Sequence, residues 1–190
     1  MSFDQLSYLI NKINKNKISD EIYQHNRLSS VGVLFRTCNK QYELLLTKRS
    51  KNLRTHPGEW AFPGGKIEKN DNDLRDTFFR ELKEEIGIEK KYINLIGRIK
   101  SFVTTTGYIV VPYVGVLREG YKIDINPEEV DKLFFLKYSL FHHKENYRTM
   151  SFLNLNNKDK LSFHNSYAIK GKYIWGATAN IIRYISNIEK

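Results

Sequence analysis

The sequence is poor in cysteine and contains no long hydrophobic run. Cys38 is the single cysteine among 190 residues, so the chain cannot form an internal disulfide, and we expect a reducing compartment. No stretch reaches the length of about 20 apolar residues that a membrane-spanning helix needs, so no membrane partner is expected. The two termini carry no secretory, peroxisomal or ER-retention signal, which favours a cytoplasmic location.

Several catalytic and nucleic-acid-binding signatures are also missing. The chain contains no GxxxxGK[ST] loop, no HExxH helix and no GxSxG elbow, which argues against the enzymes that depend on those motifs. It shows no helix-turn-helix, zinc-finger or RRM signature. No internal repeat and no Gly/Ser linker divides it, so its length fits one principal domain.

Acidic residues are outnumbered by basic ones. The chain has 31 lysine and arginine residues against 21 aspartate and glutamate residues, a formal net charge of +10. Such an excess attracts polyanions, namely nucleic acid, acidic lipid or a small phosphorylated molecule. A solvated surface rich in lysine would give the same total, so the charge alone does not name a ligand.

Hydrophobic patterning predicts a mixed α-β domain. Two hairpins are expected, one from VGVLFRT and YELLLTKR, the other from LIGRIKSFVTTT and YIVVPYVGVL. KLFFLKY is typical of a short buried strand, and YIWGATANIIRYISNI has the spacing of a helix packed on a sheet. A short amphipathic helix is expected near the N-terminus. We therefore divide the chain into an N-terminal helix or extension, 1–29, and a main domain, 30–190.

A helix is predicted from Asp73 to Ile86. Asp73 is a suitable N-cap, and Gly87 is well placed to end the helix in a left-handed conformation. Residues four apart form one apolar stripe along it: Leu74, Phe78, Leu82 and Ile86. This stripe would pack against the rest of the domain.

Three glutamates, Glu81, Glu84 and Glu85, form a second stripe beside the apolar one. Carboxylates crowded against a core raise one another's pKa values and destabilise the fold, unless a divalent cation lies among them. Oxygen ligands suit Mg²⁺ or Mn²⁺. Arg80 can orient Glu84, and the paired glycines upstream would let the Gly65 carbonyl join the glutamates. The alternative is a solvated acidic face with ordinary salt bridges.

Gly65 and the string RELKEEIGI, from Arg80 to Ile88, resemble the Nudix box, G-x5-E-x7-R-E-U-x-E-E-x-G-U, in which U is aliphatic. The second half of the box matches throughout. In the first half Asp71 stands where the pattern has glutamate, and eight residues rather than seven separate it from Arg80. This variation is similar to the coenzyme A diphosphatase branch of the family. The resemblance implies that Asp71 supports the loop.

The upstream segment LLLTKRSKNLRTHPGEWAFPGG resembles the extended signature of the same branch. Three later segments, VPYVGVL, NPEEVDKLFFL and IWGATANII, also resemble it. The predicted substrate-binding residues are Arg49, Ser50, Arg54 and His56, whose side chains suit phosphate oxygens such as those of the coenzyme A 3′-phosphate. For Arg49, Arg54 and His56 a structural role in the loop is the alternative. Trp60 is expected in the core, with a place in the pocket wall as the alternative.

The resemblance implies an α+β fold, the Nudix α/β/α sandwich, in which a mixed sheet lies between helices and the box forms a loop-helix-loop. It implies a metal-dependent hydrolase that cleaves coenzyme A or acyl-CoA to 3′,5′-ADP and (acyl-)4′-phosphopantetheine, with Mg²⁺ or Mn²⁺ as cofactor. Glu81 and Glu85 would be the main metal ligands, with the Gly65 carbonyl as an addition. Glu84 would be a ligand or would accept the proton of the attacking water. Glu129 is a second candidate acceptor, or an exposed acid that starts a short helix.

Two rival functions remain open on the sequence alone. The nearer is a Nudix hydrolase of another nucleoside diphosphate derivative, such as ADP-ribose, NADH, a dinucleoside polyphosphate or an RNA cap, because the box binds only the metal and the diphosphate. The more distant is a basic nucleic-acid-binding protein that would stack bases on some of its 12 tyrosines. That rival leaves the acidic helix unexplained. The sequence does not fix the oligomeric state.

Overall fold

A computed structural model describes residue 8, residues 27–154 and residues 157–188 of the chain. Within these ranges the strands are β1 (Leu28–Cys38), β2 (Gln41–Arg49), β3 (Trp60–Ala61), β4 (Gly64–Lys66), β5 (Ile93–Arg98), β6 (Phe102–Val103), β7 (Ile109–Leu117), β8 (Val130–Lys137), β9 (Tyr147–Asn154), β10 (Asn157–Ile169) and β11 (Lys172–Trp175). The helices are α1 (Leu74–Ile86) and α2 (Gly176–Ile188), and short 3-10 helices cover Lys90–Tyr92, Tyr138–His142 and Lys144–Asn146.

Most of the predicted N-terminal helix lies outside the described residues. Residue 8 is described and has helical backbone, and the description resumes just before β1. The division of the chain at residue 30 therefore stays a prediction. In the part of the chain that the structure describes, no helix combines the length and the apolar character needed to cross a membrane.

β1 lies at the centre of a mixed sheet. It pairs antiparallel with β2 and parallel with β7. β8 pairs antiparallel with β2, and β5 and β6 pair antiparallel with β7, so both predicted hairpins are confirmed. The first hairpin turns at Asn39 and Lys40, whose φ angles are 48° and 60°. Two positive φ angles are typical of the tight turn that matches the twist of paired strands.

Two short strands bring the loop before α1 against the centre of the sheet. β3 pairs with β2, and β4 pairs with β1, where Gly65 lies opposite Ser30. The N–H of Gly32 in β1 donates to the carbonyl of Pro63 at 2.8 Å. The paired glycines are therefore fixed to a central strand rather than carried on a free loop.

Side chains that alternate along the central strands fill two separate cores. Leu34 and Leu45 pack in the cluster that includes the apolar stripe of α1. Phe35 and Leu46 pack in the cluster on the other face, which α2 covers. All four side chains are fully buried. The predicted sandwich, a mixed sheet between helical layers, is confirmed.

α1 begins and ends where the sequence predicts. Asp73 Oδ1 accepts from the backbone N–H groups two and three residues further on, at 2.8 Å each, and Gly87 ends the helix with a φ of 70°. The predicted apolar stripe is fully buried. A Cβ at Gly32 would lie 2.8 Å from Phe78 Cε2, so the glycine lets α1 approach β1 closely.

A second, antiparallel sheet was not predicted. It consists of β9, β10 and β11, and α2 follows β11 directly. α2 is the predicted C-terminal helix, and it buries Ile181, Ile182 and Ile185. The prediction that KLFFLKY is buried was wrong in part, because exposure alternates along β8 and Phe134 is 39% exposed.

Candidate metal site and adjoining cavity

Three glutamates lie together at the C-terminal half of α1. Carboxylate oxygens of Glu81, Glu85 and Glu129 all lie within 4.8 Å of one another. Glu81 and Glu85 are one helical turn apart, and Glu129 immediately precedes β8. The Glu85 and Glu81 side chains are 4% and 12% exposed, and Glu129 is half-buried. We call these three residues the glutamate cluster.

The backbone of Glu129 is held from two sides. Its N–H donates to the Asn126 carbonyl at 3.1 Å, and its carbonyl accepts from the Ser50 N–H at 2.8 Å. The Asn126 N–H in turn donates to the Glu85 carbonyl at 3.0 Å. The segment before β8 is therefore tied both to the end of β2 and to α1, which places a distant glutamate beside the helix.

Burial of these carboxylates disfavours their charged form and so destabilises the folded protein unless a cation neutralises them. It raises the pKa of Glu85 to about 8, and the neighbouring Glu81 charge adds to the effect. Burial also raises the pKa of Glu81. Arg49 Nη1, 3.8 Å from Glu85 Oε1, counteracts the rise only in part. Because Mg²⁺ and Mn²⁺ bind oxygen ligands and negative charge, this donor set fits a divalent cation.

The paired glycines contact the cluster directly. The Gly64 N–H donates to Glu85 Oε2 at 3.2 Å. A Cβ at Gly65 would lie 2.2 Å from Glu81 Oε1, so the Glu81 carboxylate occupies the space that another side chain would fill. Gly64 has a φ of 148°, and a Cβ there would lie 2.2 Å from the Ser30 carbonyl oxygen. The role of the Gly65 carbonyl as a metal ligand stays a prediction.

Arg80 connects the loop to the cluster. Its Nε and Nη2 donate to the two carboxylate oxygens of Asp71 at 3.0 Å each, and Nη2 also donates to the Lys66 carbonyl at 3.0 Å. Nη1 donates to Glu81 at 3.0 Å and to Glu84 at 2.8 Å. The hydrogen bonds from Arg80 lower the pKa of Asp71, so Asp71 keeps the negative charge that holds the guanidinium in place.

Glu84 stands apart from the glutamate cluster. Its side chain is 50% exposed, and Arg80 Nη1 binds its carboxylate at 2.8 Å. The structure therefore brings Glu84 to Arg80, but the group of described acids that could share a cation contains Glu129 instead. Consecutive side chains on a helix point in directions about 100° apart, so Glu85 faces the sheet while Glu84 faces outward.

The four residues predicted to contact substrate differ in their surroundings. Arg49 turns toward Glu85, and its buried Nε has no hydrogen-bond partner among the described residues. Ser50 is buried, and its hydroxyl accepts a backbone N–H from two residues on at 3.4 Å. Arg54 is exposed. His56 has a φ of 56°, and its Nδ1 lies 3.0 Å from a carboxylate oxygen of Glu59.

A cavity of about 290 Å³ adjoins the cluster. Arg49 and Gly64, which both contact Glu85, line it, and so does His56. Much of the remaining wall comes from β3, the turn between β6 and β7, β10 and the start of α2. Ser50 and Arg54 do not appear in the described wall. The cavity therefore brings two of the four predicted residues together with elements from the C-terminal half of the chain.

Sequence reasoning missed most of this wall. Trp60 combines the two alternatives that the sequence leaves open, because it packs against the core and also lines the cavity. His164, Trp175 and Asn180 also line it, and no role was predicted for any of the three. The resemblance of IWGATANII to the coenzyme A diphosphatase branch was a sign that the segment with Trp175 and Asn180 could belong to the site. For His164, in an unpredicted sheet, there was none.

Comparison with known sequences identifies a family. A sequence model of the NUDIX domain matches residues 26–152. The uncharacterized Nudix hydrolase NudL of Photorhabdus laumondii is 33% identical over 149 residues, which cover 78% of each chain. The protein with the same description from Yersinia pestis is 34% identical over 155 residues, covering 78% of this chain and 73% of the other.

Solved structures share the fold. A MutT/nudix family protein from Enterococcus faecalis matches with a TM-score of 0.59 at 17% identity, covering 96% of this chain and 68% of that chain. DR0079 from Deinococcus radiodurans matches with a TM-score of 0.55 at 17% identity, covering 84% of this chain and 82% of that one. At such identities the likeness shows the fold alone.

Proposed function

This chain belongs to the Nudix hydrolase family, and on that premise we propose that it hydrolyses the diphosphate linkage of coenzyme A or acyl-CoA. The products are 3′,5′-ADP and 4′-phosphopantetheine or its acylated form. One observation carries the proposal: three carboxylates close enough to share a cation lie, largely buried, beside a cavity. Buried acids of this kind are tolerated where positive charge is supplied.

The cluster has the donors for Mg²⁺ or Mn²⁺. We assign Glu81 and Glu85 as the residues that hold the cation. A bound divalent cation neutralises charge on the diphosphate and lowers the pKa of a bound water. Arg80 keeps Glu81 in position through the 3.0 Å bond from its Nη1, and Glu84 and Asp71 hold Arg80.

Two further residues act on the substrate side. Arg49 is the cation beside Glu85, and its buried Nε lacks an acceptor among the described residues, so a diphosphate oxygen is the partner that its chemistry suits. Glu129 is the least buried member of the cluster and is held by its backbone. We assign it the acceptance of the proton from the attacking water, which it can return to solvent.

The coenzyme A assignment rests on the signature upstream of the box. Arg49 and His56 from that signature line the cavity. Lys51 and Arg54 are exposed on the loop after β2, where they suit the 3′-phosphate of the nucleotide. We further propose that residues 30–190 form the catalytic domain and that the protein works in the cytoplasm, in keeping with its single cysteine.

A substrate panel tests the proposal. The purified protein is incubated with coenzyme A, 3′-dephospho-CoA, ADP-ribose, NADH, a diadenosine polyphosphate and capped RNA, each with Mg²⁺ or Mn²⁺, and products are identified by mass spectrometry. We expect the highest kcat/KM for the coenzyme A series and 3′,5′-ADP as a product. A higher kcat/KM for another diphosphate would contradict the coenzyme A assignment and would identify that compound as the substrate. Salt-sensitive RNA binding without metal-dependent hydrolysis would support a nucleic-acid-binding protein instead.

A further inference from the structure

The cavity beside the glutamate cluster is nearly uncharged. Among the described residues that line it, the fixed charges are Arg49 and Glu59. Arg49 lies 3.8 Å from Glu85, so the single fixed cation of the described wall stands at the end of the cavity next to the glutamate cluster, where we place the diphosphate. A phosphate group that entered the cavity beyond Arg49 would lose its water without meeting a second fixed cation in the described wall.

The wall of the cavity is largely apolar. Trp60, Val110 and Ile181 line its interior, and the last two are buried. Val103 lines it too, yet is 73% exposed. An exposed valine leading into an apolar interior favours an occupant with an apolar end.

One polar group in the wall has a fixed direction. Asn165 Nδ2 donates to Asn180 Oδ1 at 2.6 Å, and Asn165 Oδ1 accepts from the Tyr147 hydroxyl at 2.5 Å. Asn180 lines the cavity, and this chain of hydrogen bonds occupies the side-chain oxygen of Asn180. Its Nδ2 has no hydrogen-bond partner within the described residues and is the donor left for a ligand carbonyl.

We propose that this cavity binds the uncharged arm of the substrate, the acylated pantetheine half, and that Asn180 donates to one of its amide carbonyls. The inference rests on the function proposed above and extends it. The phosphorylated nucleotide half lies outside the cavity, toward the exposed Lys51 and Arg54. An acyl group therefore adds binding energy at the apolar wall, and acyl-CoA is preferred to free coenzyme A.

Kinetics with an acyl series test this placement. We expect kcat/KM to rise from acetyl-CoA to hexanoyl-CoA by about fourfold per methylene until the cavity is full, the fold-change equivalent to burying one CH₂. Ala177→Phe places a ring in the cavity, since Ala177 lines it, and should lower kcat/KM for hexanoyl-CoA much more than for free coenzyme A. The matched control is Asn187→Leu, on the same helix but exposed and outside the described wall, which should change neither value.

Asn180→Leu tests the hydrogen bond. It should raise KM for coenzyme A and acyl-CoA about two- to tenfold, the loss of one hydrogen bond, with kcat unchanged. It should leave KM for ADP-ribose, which has no amide arm, unaltered. A fall in kcat with unchanged KM would overturn the assignment of Asn180.

Val103→Glu is a variant that does not threaten the fold, because the side chain is 73% exposed. Its carboxylate at the cavity should reduce the advantage of hexanoyl-CoA over free coenzyme A. Equal losses for every member of the series, with or without 3′-phosphate, would mean that the nucleotide half occupies the cavity, and would overturn the inference. Absence of any coenzyme A hydrolysis by the wild-type protein would instead overturn the proposed function, and this inference with it.

Discussion

Arg80 and Asp71 form a two-point ion pair, with Nε and Nη2 of the guanidinium each 3.0 Å from a different oxygen of the carboxylate. Asp71 is nearly buried, its side chain 4% exposed. The third nitrogen of the same guanidinium, Nη1, reaches Glu81 at 3.0 Å. A residue that never touches the glutamate cluster therefore fixes one of its members through a single rigid side chain.

Asp71→Asn should lower the free energy of unfolding by about 1.5–3 kcal/mol, the worth of a hydrogen bond to a charged group. It should also weaken Mn²⁺ binding, because Arg80 would no longer be held against Glu81. Chemical denaturation and Mn²⁺ titration measure the two effects. Asp76→Asn is the matched control, since Asp76 accepts from Asn72 at 2.6 Å away from the cluster. Equal effects of the two substitutions would contradict the positioning role.

The contacts around Asp71 were predictable from the sequence only in part. The box pattern marked an acid before Arg80 and implied that it supports the loop, and the structure places it against Arg80. The pattern gave no sign that the same guanidinium also binds Glu81, because neighbouring positions on a helix do not normally face each other. That contact depends on the loop geometry, which local sequence does not specify.

Glu85→Gln should reduce turnover by about 100-fold or more, since a divalent cation contributes several kcal/mol to the transition state. The fold should persist, because glutamine replaces a carboxyl whose pKa of about 8 already favours the neutral form. Steady-state kinetics and circular dichroism measure both. Glu89→Gln, on an exposed carboxylate that contacts Lys91 at 2.9 Å, is the control. Wild-type turnover in Glu85→Gln would exclude it as a metal ligand.

The stability of the metal-free protein should fall as pH rises from about 5 to 8. The folded-state pKa of Glu85 is raised from 4.5 to about 8, so in this window the folded chain holds a proton that the unfolded chain has lost, and rising pH favours unfolding. Asp71, whose pKa is lowered, acts in the opposite sense but only at acid pH. Thermal unfolding in EDTA at pH 6 and pH 8.5 measures the difference.

Glu85→Gln is the control for this pH effect, because it removes the carboxyl whose pKa is raised to about 8 and should weaken the dependence, leaving the part that comes from the raised pKa of Glu81. Mn²⁺ should stabilise the wild-type protein more at pH 8.5 than at pH 6, since the cation and the proton compete for the same oxygens. A wild-type protein that is more stable at pH 8.5 than at pH 6 without metal would contradict the assignment.

Gly65→Ala should displace Glu81, because its Cβ would lie 2.2 Å from Glu81 Oε1. We expect weaker Mn²⁺ binding and reduced turnover in a folded protein. The double variant with Glu81→Ala removes the clash, so it should bind Mn²⁺ no worse than Glu81→Ala alone. Strictly additive losses in Mn²⁺ affinity would show that Gly65 acts by another route.

The helix, its caps and the two hairpins were predictable because short-range patterns determine them: Asp73 and Gly87 bound α1, and residues four apart form its buried stripe. Glu129 could be named only as a candidate, because its place in the cluster depends on the pairing of β8 with β2. The cavity could not be predicted from the sequence for the same reason. Its wall joins residues as distant as Trp60 and Asn180, and no local periodicity records such a contact.

The most direct test of the account is a crystal structure of the protein grown with Mn²⁺ and measured for anomalous scattering. We predict a manganese peak in contact with the carboxylates of Glu81 and Glu85 and close to Glu129, next to the paired glycines. A structure in which these side chains bind no ion at saturating Mn²⁺ would contradict the metal site, and with it the proposed hydrolysis of a diphosphate.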